Sequence, residues 1–336
     1  MHIGGFNLDD QVLVVAEIGN NHEGDFEVAK AMVQRAAECG VDAVKFQTFR
    51  TEHYVGKSDL ARFNRLKQFE LSPSQFKVLS QTAHHLGLLF ISTPFDLGSA
   101  EILEEIVDCY KIASGDNNFY PLLGCVAQTG KPMMVSTGAS DFPQVARTVA
   151  FVKQRWSEHN INGELALLHC VSSYPVPPEQ ANLRAIQLLT EHFDGPVGYS
   201  DHTLGVEAAL LAVALGARII EKHFTLDKGF SDFRDHQLSA DPAEMQDMVQ
   251  KIRLVPRMLG QPEKTIQPCE AALVAMIRRS IVAARDLPQG HRLVFSDLTW
   301  VRPAGGLPPG EEWVLVGKNL KHPIALGDRI LSADVE

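Results

Sequence analysis

Two histidines and two lysines carry the chemical interest of this chain. Each lies in a short apolar run: Lys45 in AVKFQTF (43–49), Lys111 in CYKIASGD (109–116), His202 in VGYSDHT (197–203) and His223 in IIEKHFT (219–225). Side chains alternate along a strand, so residues two apart share a face. Lys45 and Gln47 therefore face one way while Val44 and Phe46 face the other. Ser200 shares a face with His202, and Glu221 shares one with His223 and Thr225. The charged faces must look inward, because an outward Lys45 would lie under a helix layer, where an unpaired ammonium is costly. Imidazoles at matching positions on neighbouring strands could meet at one divalent ion, with water and substrate oxygens filling its shell. That donor set suits Mn²⁺, Mg²⁺ or a similar ion better than a closed structural zinc site. The bland alternative is a pair of core histidines bonded to their neighbours. Lys45 and Lys111, with the Ser114, Ser136 and Ser200 hydroxyls, form a cradle suited to phosphate or carboxylate. One lysine could instead be a Schiff-base nucleophile, or both could pair with buried acids such as Glu17 or Glu221. Glu17 and Asp116 are candidate bases or hydroxyl ligands, or else loop caps. Asp235, in FRDHQLS, could reach over the mouth of a site.

These residues need a common scaffold. Eight apolar runs recur: VLVVAEIGN (12–20), AVKFQTF, LLFISTPF (88–95), CYKIASGD, PMMVSTG (132–138), LALLHCVSSY (165–174), VGYSDHT and IIEKHFT. Seven helical stretches separate them, which predicts an α/β fold, a (β/α)8 TIM barrel, with its site at the C-terminal strand ends. Glu17, Lys45, Gln47, Thr93, Lys111, Ser114, Ser136, His202 and His223 should then ring one pocket. FEVAKAMVQRAAECG ends at a glycine, and Ser72-Pro73 opens a helix. GVEAALLAVALGA is apolar nearly all round, so burial on more than one side is expected. Residues 50–71 read as a long irregular connection shaping the substrate site. After about residue 260 the pattern changes. The expectation is a catalytic barrel over 1–262, a linker over 263–278 and a small β-rich domain over 279–336, built from SIVAA, TWVRP, WVLVG, HPIAL and RILSADVE.

At 336 residues the chain exceeds a minimal barrel, and its net charge of −10 argues against a nucleic-acid partner. No apolar run is long enough to span a bilayer, and the N-terminal residues lack a signal-like pattern. The five cysteines show no paired spacing. The expectation is a reduced, cytoplasmic protein without membrane partners, disulfides or a thiolate metal site.

The motifs AEIGNNHEG, VKFQTF, ISTPFD, YKIASGD, STGA, LLHCVSSYP, GYSDHT, EKHFT and DHQLS, then RRSIVAARDLPQG and VRPAGG, resemble the sialic acid synthase (N-acetylneuraminate synthase) family in order from residue 15 to about 306. That resemblance implies an enzyme condensing phosphoenolpyruvate with an N-acetylated mannose-type sugar to a nine-carbon 2-keto-3-deoxy acid, releasing phosphate. It also implies a barrel followed by an antifreeze-like (SAF) domain. His202 and His223 would bind Mn²⁺, with Mg²⁺ or Co²⁺ as substitutes. Lys45, Thr93, Lys111, Ser114, Ser136, Ser172 and Ser200 would hold phosphoenolpyruvate. Glu17, Gln47, Phe95, Asp116, Tyr174 and Asp235 would meet the sugar, and Arg302 would enter from a partner chain in a domain-swapped homodimer. The chain departs from the family at Asp116 (usually Glu), Ser172 (commonly Asn) and Arg234 (usually Pro), and its loop after strand two is short, with Asn64 the nearest match for a sugar-binding Asn. All four departures fall on the sugar side. The competing readings are a metal-dependent keto-acid aldolase or lyase, and an inactive barrel serving as a sugar-binding scaffold.

Overall fold

The apolar runs become eight parallel strands of one closed barrel in the computed structural model, which describes residues 1–336. They are β1 (Leu13–Gly19), β2 (Ala43–Thr48), β3 (Leu89–Pro94), β4 (Cys109–Ile112), β5 (Met133–Ser136), β6 (Leu165–Cys170), β7 (Val197–Asp201) and β8 (Ile219–His223). Each strand pairs with its chain neighbours, and β8 closes on β1. Val15, Ala43, Ile91, Cys109, Met134, Leu168 and Ile219 form an apolar layer inside the barrel. Two residues further along, the same strands carry Glu17, Lys45, Thr93, Lys111, Ser136, Cys170 and Glu221. The period of two thus stacks a reactive layer directly on an apolar one. Each fully buried aliphatic side chain in the lower layer contributes about 1.5–3 kcal/mol.

Leu8 and Ile3, from a short N-terminal hairpin (His2–Ile3 against Phe6–Asn7), are fully buried in that apolar layer. The hairpin plugs the barrel end away from the reactive residues. It was not legible beforehand, because two-residue strands leave no periodicity to read.

The helices start where the sequence signals them. Asp25 caps Phe26–Glu38 by accepting from the Glu27 and Val28 amides, and Ser72 forms a capping box with Gln75 ahead of Pro73–His85. Two expectations need correction, and one holds. Residues 50–71 are largely helical, as Thr51–Tyr54 and Leu60–Phe69, with Leu66 and Phe69 anchoring the second helix in a small aromatic cluster. Helix Glu207–Ala214 packs on strands β7 and β8 and against helix Pro242–Leu259, burying Ala209, Ala212 and Val213, as its composition predicts, and leaves only the Leu211 side open. One buried lysine does face the helix layer. Lys222 is fully buried there, pairing with Asp201 at 2.9 Å and donating to the Thr203 carbonyl. The rule against outward lysines fails at this position because the counter-charge lies on the same face of the next strand.

The chain divides into Met1–Gly260 and Gln261–Glu336. In the second unit, Ser280–Ala283 pairs antiparallel with Leu298–Val301 over a core that includes Ile281, Leu293, Leu315 and Ile330. The stretch expected as linker contains helix Pro268–Ile277. The runs HPIAL and RILSADVE give only single bridges (Leu287–Ile324, Val282–Arg329, Leu320–Val335), and WVLVG forms a 3-10 turn at Glu312–Val314. Gly317 and Gly327, both at positive φ, and Pro323 interrupt the ladders before a strand can propagate.

Candidate active site

A cavity of about 830 Å³ opens at the C-terminal ends of the strands. Glu17, Lys45, Gln47, Thr93, Phe95, Lys111, Ser114, Asp116, Ser136, Ser172, Tyr174, Ser200, His202, His223 and Asp235 all line it. Arg302 belongs to the second unit, just past strand Leu298–Val301. Asn64 is exposed and does not line the cavity; its neighbours Arg62 and Arg65 do. Glu221, read beforehand as an inward acid able to pair with the lysines, lines it too, as do Asn20, Tyr54 and Phe233, which were not singled out.

The floor is an alternation of charges fixed by strand register. Lys45 stands beside Glu17 across β1 and β2, and Glu221 beside Ser200 across β7 and β8. Lys45 Nζ lies 2.8 Å from Glu17 Oε2 and 3.7 Å from Glu221 Oε1, while Lys111 Nζ lies 3.3 Å from Glu221 Oε1. Pairing with buried acids is therefore the arrangement of both lysines here. Burial disfavours the Lys45 ammonium, but Glu17 and Glu221 outweigh it and raise its pKa. Lys111 has a smaller share of negative charge, and burial lowers its pKa. Burial also acts against the Glu221 carboxylate, yet the two lysines hold it at about 2. Burial pushes the Glu17 pKa up, and the neighbouring Glu221 charge adds to the rise, which Lys45 opposes without cancelling.

These ion pairs leave coordination unfilled. Glu17 Oε2 faces Lys45 off the hydrogen-bonding direction and has no directional partner; Glu221 Oε2, Ser136 Oγ and His223 Nδ1 are buried and unpartnered too. Native interiors rarely leave such groups unsatisfied, so several in one cavity mark a place for a polar ligand. Other expected ligand groups serve the wall. Thr93 accepts from Lys45 at 3.2 Å, Ser200 donates to Glu221 at 2.8 Å, and Ser114 accepts from the Gly138 amide at 3.1 Å. Gln47 bridges Asn20 and Glu17.

The two histidines meet as their strands predicted, with ring centroids 5.4 Å apart. With metal–nitrogen bonds of about 2.1 Å, two imidazoles on one ion place their centroids roughly 5 Å apart. His202 Nδ1 lies 2.9 Å from the Val171 carbonyl, so Nδ1 carries the proton and the deprotonated ring would present its Nε2 lone pair; burial acts against its charged form, but Cys170 and that carbonyl raise its pKa. His223 has an unpartnered buried Nδ1, and burial next to His202 holds it neutral, well below the usual histidine pKa. Both rings therefore fit the role of metal ligand. No group of three or more His, Cys, Asp or Glu side chains is arranged for an ion, so an ion held here would take two ligands from the protein and the rest from substrate or water. Tyr174 packs on both rings, at 4.2 Å and 5.9 Å between centroids.

The mouth hangs from the loop after β1. There, Glu23, at the left-handed φ of 48°, accepts from Ser231 and lies 3.2 Å from His236 Nε2. His236 is buried, with Nδ1 2.7 Å from Thr225 Oγ1. Asn21 donates to the Phe224 carbonyl and to Ser239. These bonds clamp the loop carrying Arg234 and Asp235. On its other side, a Cβ at Gly24 would meet the Gln68 carbonyl at 2.0 Å, so only glycine admits the helix Leu60–Phe69 this closely. The motifs GNNHEG and DHQLS are thus mostly scaffold. A spacing argument could not find this, because Glu23 and His236 are far apart in sequence.

Asp116 sits half-buried on the wall, where desolvation raises its carboxyl to about 6. A smaller cavity of about 520 Å³ shares the Cys170 and Ser172 wall; Phe142, Val145, Leu188 and Leu189 line it and no lysine or arginine does, so it does not suit an anionic substrate.

Known proteins share this architecture. A model of the NeuB family matches residues 32–264, and one of the SAF domain matches residues 278–336. The N,N'-diacetyllegionaminic acid synthase of Legionella pneumophila is 39% identical, covering 96% of this chain and 94% of its own length. The human N-acetylneuraminate-9-phosphate synthase is 35% identical over 96% of this chain and 92% of its own. The crystal structure of an N-acetylneuraminic acid synthetase from Leptospira borgpetersenii in complex with citrate superposes with a TM-score of 0.76 at 35% identity, covering 82% of this chain and 94% of that one. The two family models in order along the chain, and relatives more than 30% identical over nearly its whole length, show that the chain belongs to the NeuB family.

Proposed function

We propose that the chain condenses phosphoenolpyruvate with an N-acetylated, mannose-type aldose, giving a nine-carbon 2-keto-3-deoxy acid and phosphate. The observation that carries this is the floor: two buried lysines, unpartnered carboxylate and hydroxyl oxygens and two adjacent histidines in one cavity. Phosphoenolpyruvate places a phosphate and a carboxylate against Lys45 and Lys111, whose ammonium groups each have three donors to share. The electron pair of its C2–C3 double bond forms the new bond to the aldehyde carbon, and the aldehyde oxygen takes a proton. Water adds at C2. The C2–O bond to phosphate then breaks, phosphate leaves with the electron pair, and the C2 hydroxyl loses its proton to become the ketone. Glu17, beside Lys45 on the floor, takes the proton from water. Asp116 and Asp235 bind sugar hydroxyls from the wall. The lysines offset the charge that builds on the leaving phosphate. A divalent ion held by His202 and His223, Mn²⁺ before Mg²⁺ or Co²⁺, would polarise the aldehyde oxygen. The acting unit in this reading is a homodimer in which the partner subunit's Arg302 reaches the sugar. Mixing Arg302→Ala with His202→Ala chains should then recover activity.

The decisive experiment is a phosphate-release screen with phosphoenolpyruvate over N-acetylmannosamine, its 6-phosphate and deoxy-diacetamido hexoses. Product mass must equal aldose plus pyruvate. Absence of aldose-dependent phosphate release from metal-loaded protein would leave the aldolase or scaffold readings.

A further inference from the structure

Three arginines line the mouth of the cavity. Arg62 and Arg65 come from helix Leu60–Phe69, and Arg234 from the loop after β8. Two of them lie over aromatic walls: the Arg62 guanidinium is 5.7 Å from the Tyr54 ring centroid, and that of Arg234 is 4.7 Å from Tyr174. Such stacking fixes the plane of the guanidinium while leaving its N–H fork free. Arg62 and Arg65 have no carboxylate within ion-pair distance, and Arg234 has one, Asp235 at 3.3 Å. Asp116 and Asp232 also line the cavity, but neither is paired with these guanidinium groups.

The floor and the mouth thus differ in what they still need. On the floor each lysine already faces glutamate, and phosphoenolpyruvate brings the anions. At the mouth two guanidinium forks await an acceptor. An aldose whose aldehyde reacts at the floor points its far carbon toward the mouth. We propose that Arg62, Arg65 and Arg234 form a second anion subsite, and that the acceptor is an N-acylated hexosamine carrying a phosphate ester at the end opposite its aldehyde. This rests on the condensation reading above and adds the class of sugar. Planar guanidinium forks match phosphate oxygens bidentately, and an acceptor without that group leaves the forks unmatched.

The test compares N-acetylmannosamine with its 6-phosphate. The wild-type ratio of kcat/KM should favour the phosphorylated sugar by about 100-fold or more, and 0.5 M salt should shrink it. Arg62→Ala, Arg65→Ala and Arg234→Ala should each bring that ratio toward one, with the double variant Arg62→Ala/Arg65→Ala removing most of it. Phosphate release with the neutral sugar at equal or better kcat/KM would overturn the subsite while leaving the condensation intact. Equal losses for both sugars in the variants would also overturn it. If no sugar supports turnover, the condensation reading fails and calorimetry still decides the subsite: wild type should bind the 6-phosphate more tightly than the neutral sugar, and the double variant should not. Equal binding of both sugars to wild type refutes it.

Discussion

Two buried lysines on opposite faces of the barrel wall should respond oppositely to the same substitution. Lys111 faces the cavity; if it is changed to Met, Glu221 keeps Ser200 at 2.8 Å and Lys45 at 3.7 Å. No buried charge is orphaned, so the stability cost should stay under about 2 kcal/mol. The loss falls on phosphoenolpyruvate instead: one charge-assisted contact at a buried site is about 3 kcal/mol, or roughly 100-fold in kcat/KM. Lys222 faces the helices; if it is changed to Met, Asp201, which is 0% exposed, loses its 2.9 Å partner and keeps only the Thr203 donors on its other oxygen. Breaking such a pair costs about 3–5 kcal/mol. In a domain of this size that lowers Tm by roughly 6–20 °C. Adding Asp201→Leu should restore much of the loss, since a buried pair replaced by apolar groups is often close to neutral. Thermal melts of the four proteins, with phosphoenolpyruvate kinetics below each Tm, check this. A Lys111→Met protein that melts as early as Lys222→Met and uses phosphoenolpyruvate normally would refute the assignment of faces to roles.

The remaining predictions concern proton, clamp and metal. Desolvation holds Asp116 at about 6, so kcat/KM for the sugar should fall as pH drops through about 6, and Asp116→Asn should abolish that limb. Its effect on stability runs the other way: the folded pKa is raised, so its stabilising contribution is complete below the unfolded value of 3.8 and is lost as pH rises through about 6. Loosening the mouth with His236→Phe or Glu23→Ala should raise KM for the sugar about 10-fold with KM for phosphoenolpyruvate unchanged, whereas an equal rise in both would make the clamp merely structural. Chelation should abolish turnover and Mn²⁺ restore it, while elemental analysis should find no bound metal in His202→Ala or His223→Ala; full turnover by metal-free protein contradicts this.

The reactive layer was legible because it obeys the strand period: Glu17, Lys45, Lys111 and Glu221 each sit two residues beyond a buried apolar residue of the same strand. His202 and His223 were legible for the same reason, together with strand order. What escaped depends on distant partners. Lys222 breaks the inward rule because Asp201 stands opposite it on the neighbouring strand. The arginines of helix Leu60–Phe69 were hidden when that stretch, rich in charge and with aromatics, read as irregular, since its amphipathic face is only two anchors wide. In the tail, apolar runs of strand-like composition were cut to single bridges by their glycines and Pro323. No helix is long and apolar enough to cross a membrane.

Gly24 and its neighbours have a meaning for how such enzymes diversify. The floor residues stand on strands, where a change disturbs the barrel. The mouth residues stand on two insertions, both moored to one loop: Gly24 against the Gln68 carbonyl, and Glu23 against His236. If the mouth selects the acceptor, as proposed above, acceptor preference is a separable cassette made of three pieces. A graft that moves residues 50–71 alone would arrive without its mooring. Moving them together with 20–25 and 226–239 should carry a mouth from one family member to another, leaving the shared phosphoenolpyruvate chemistry beneath it untouched.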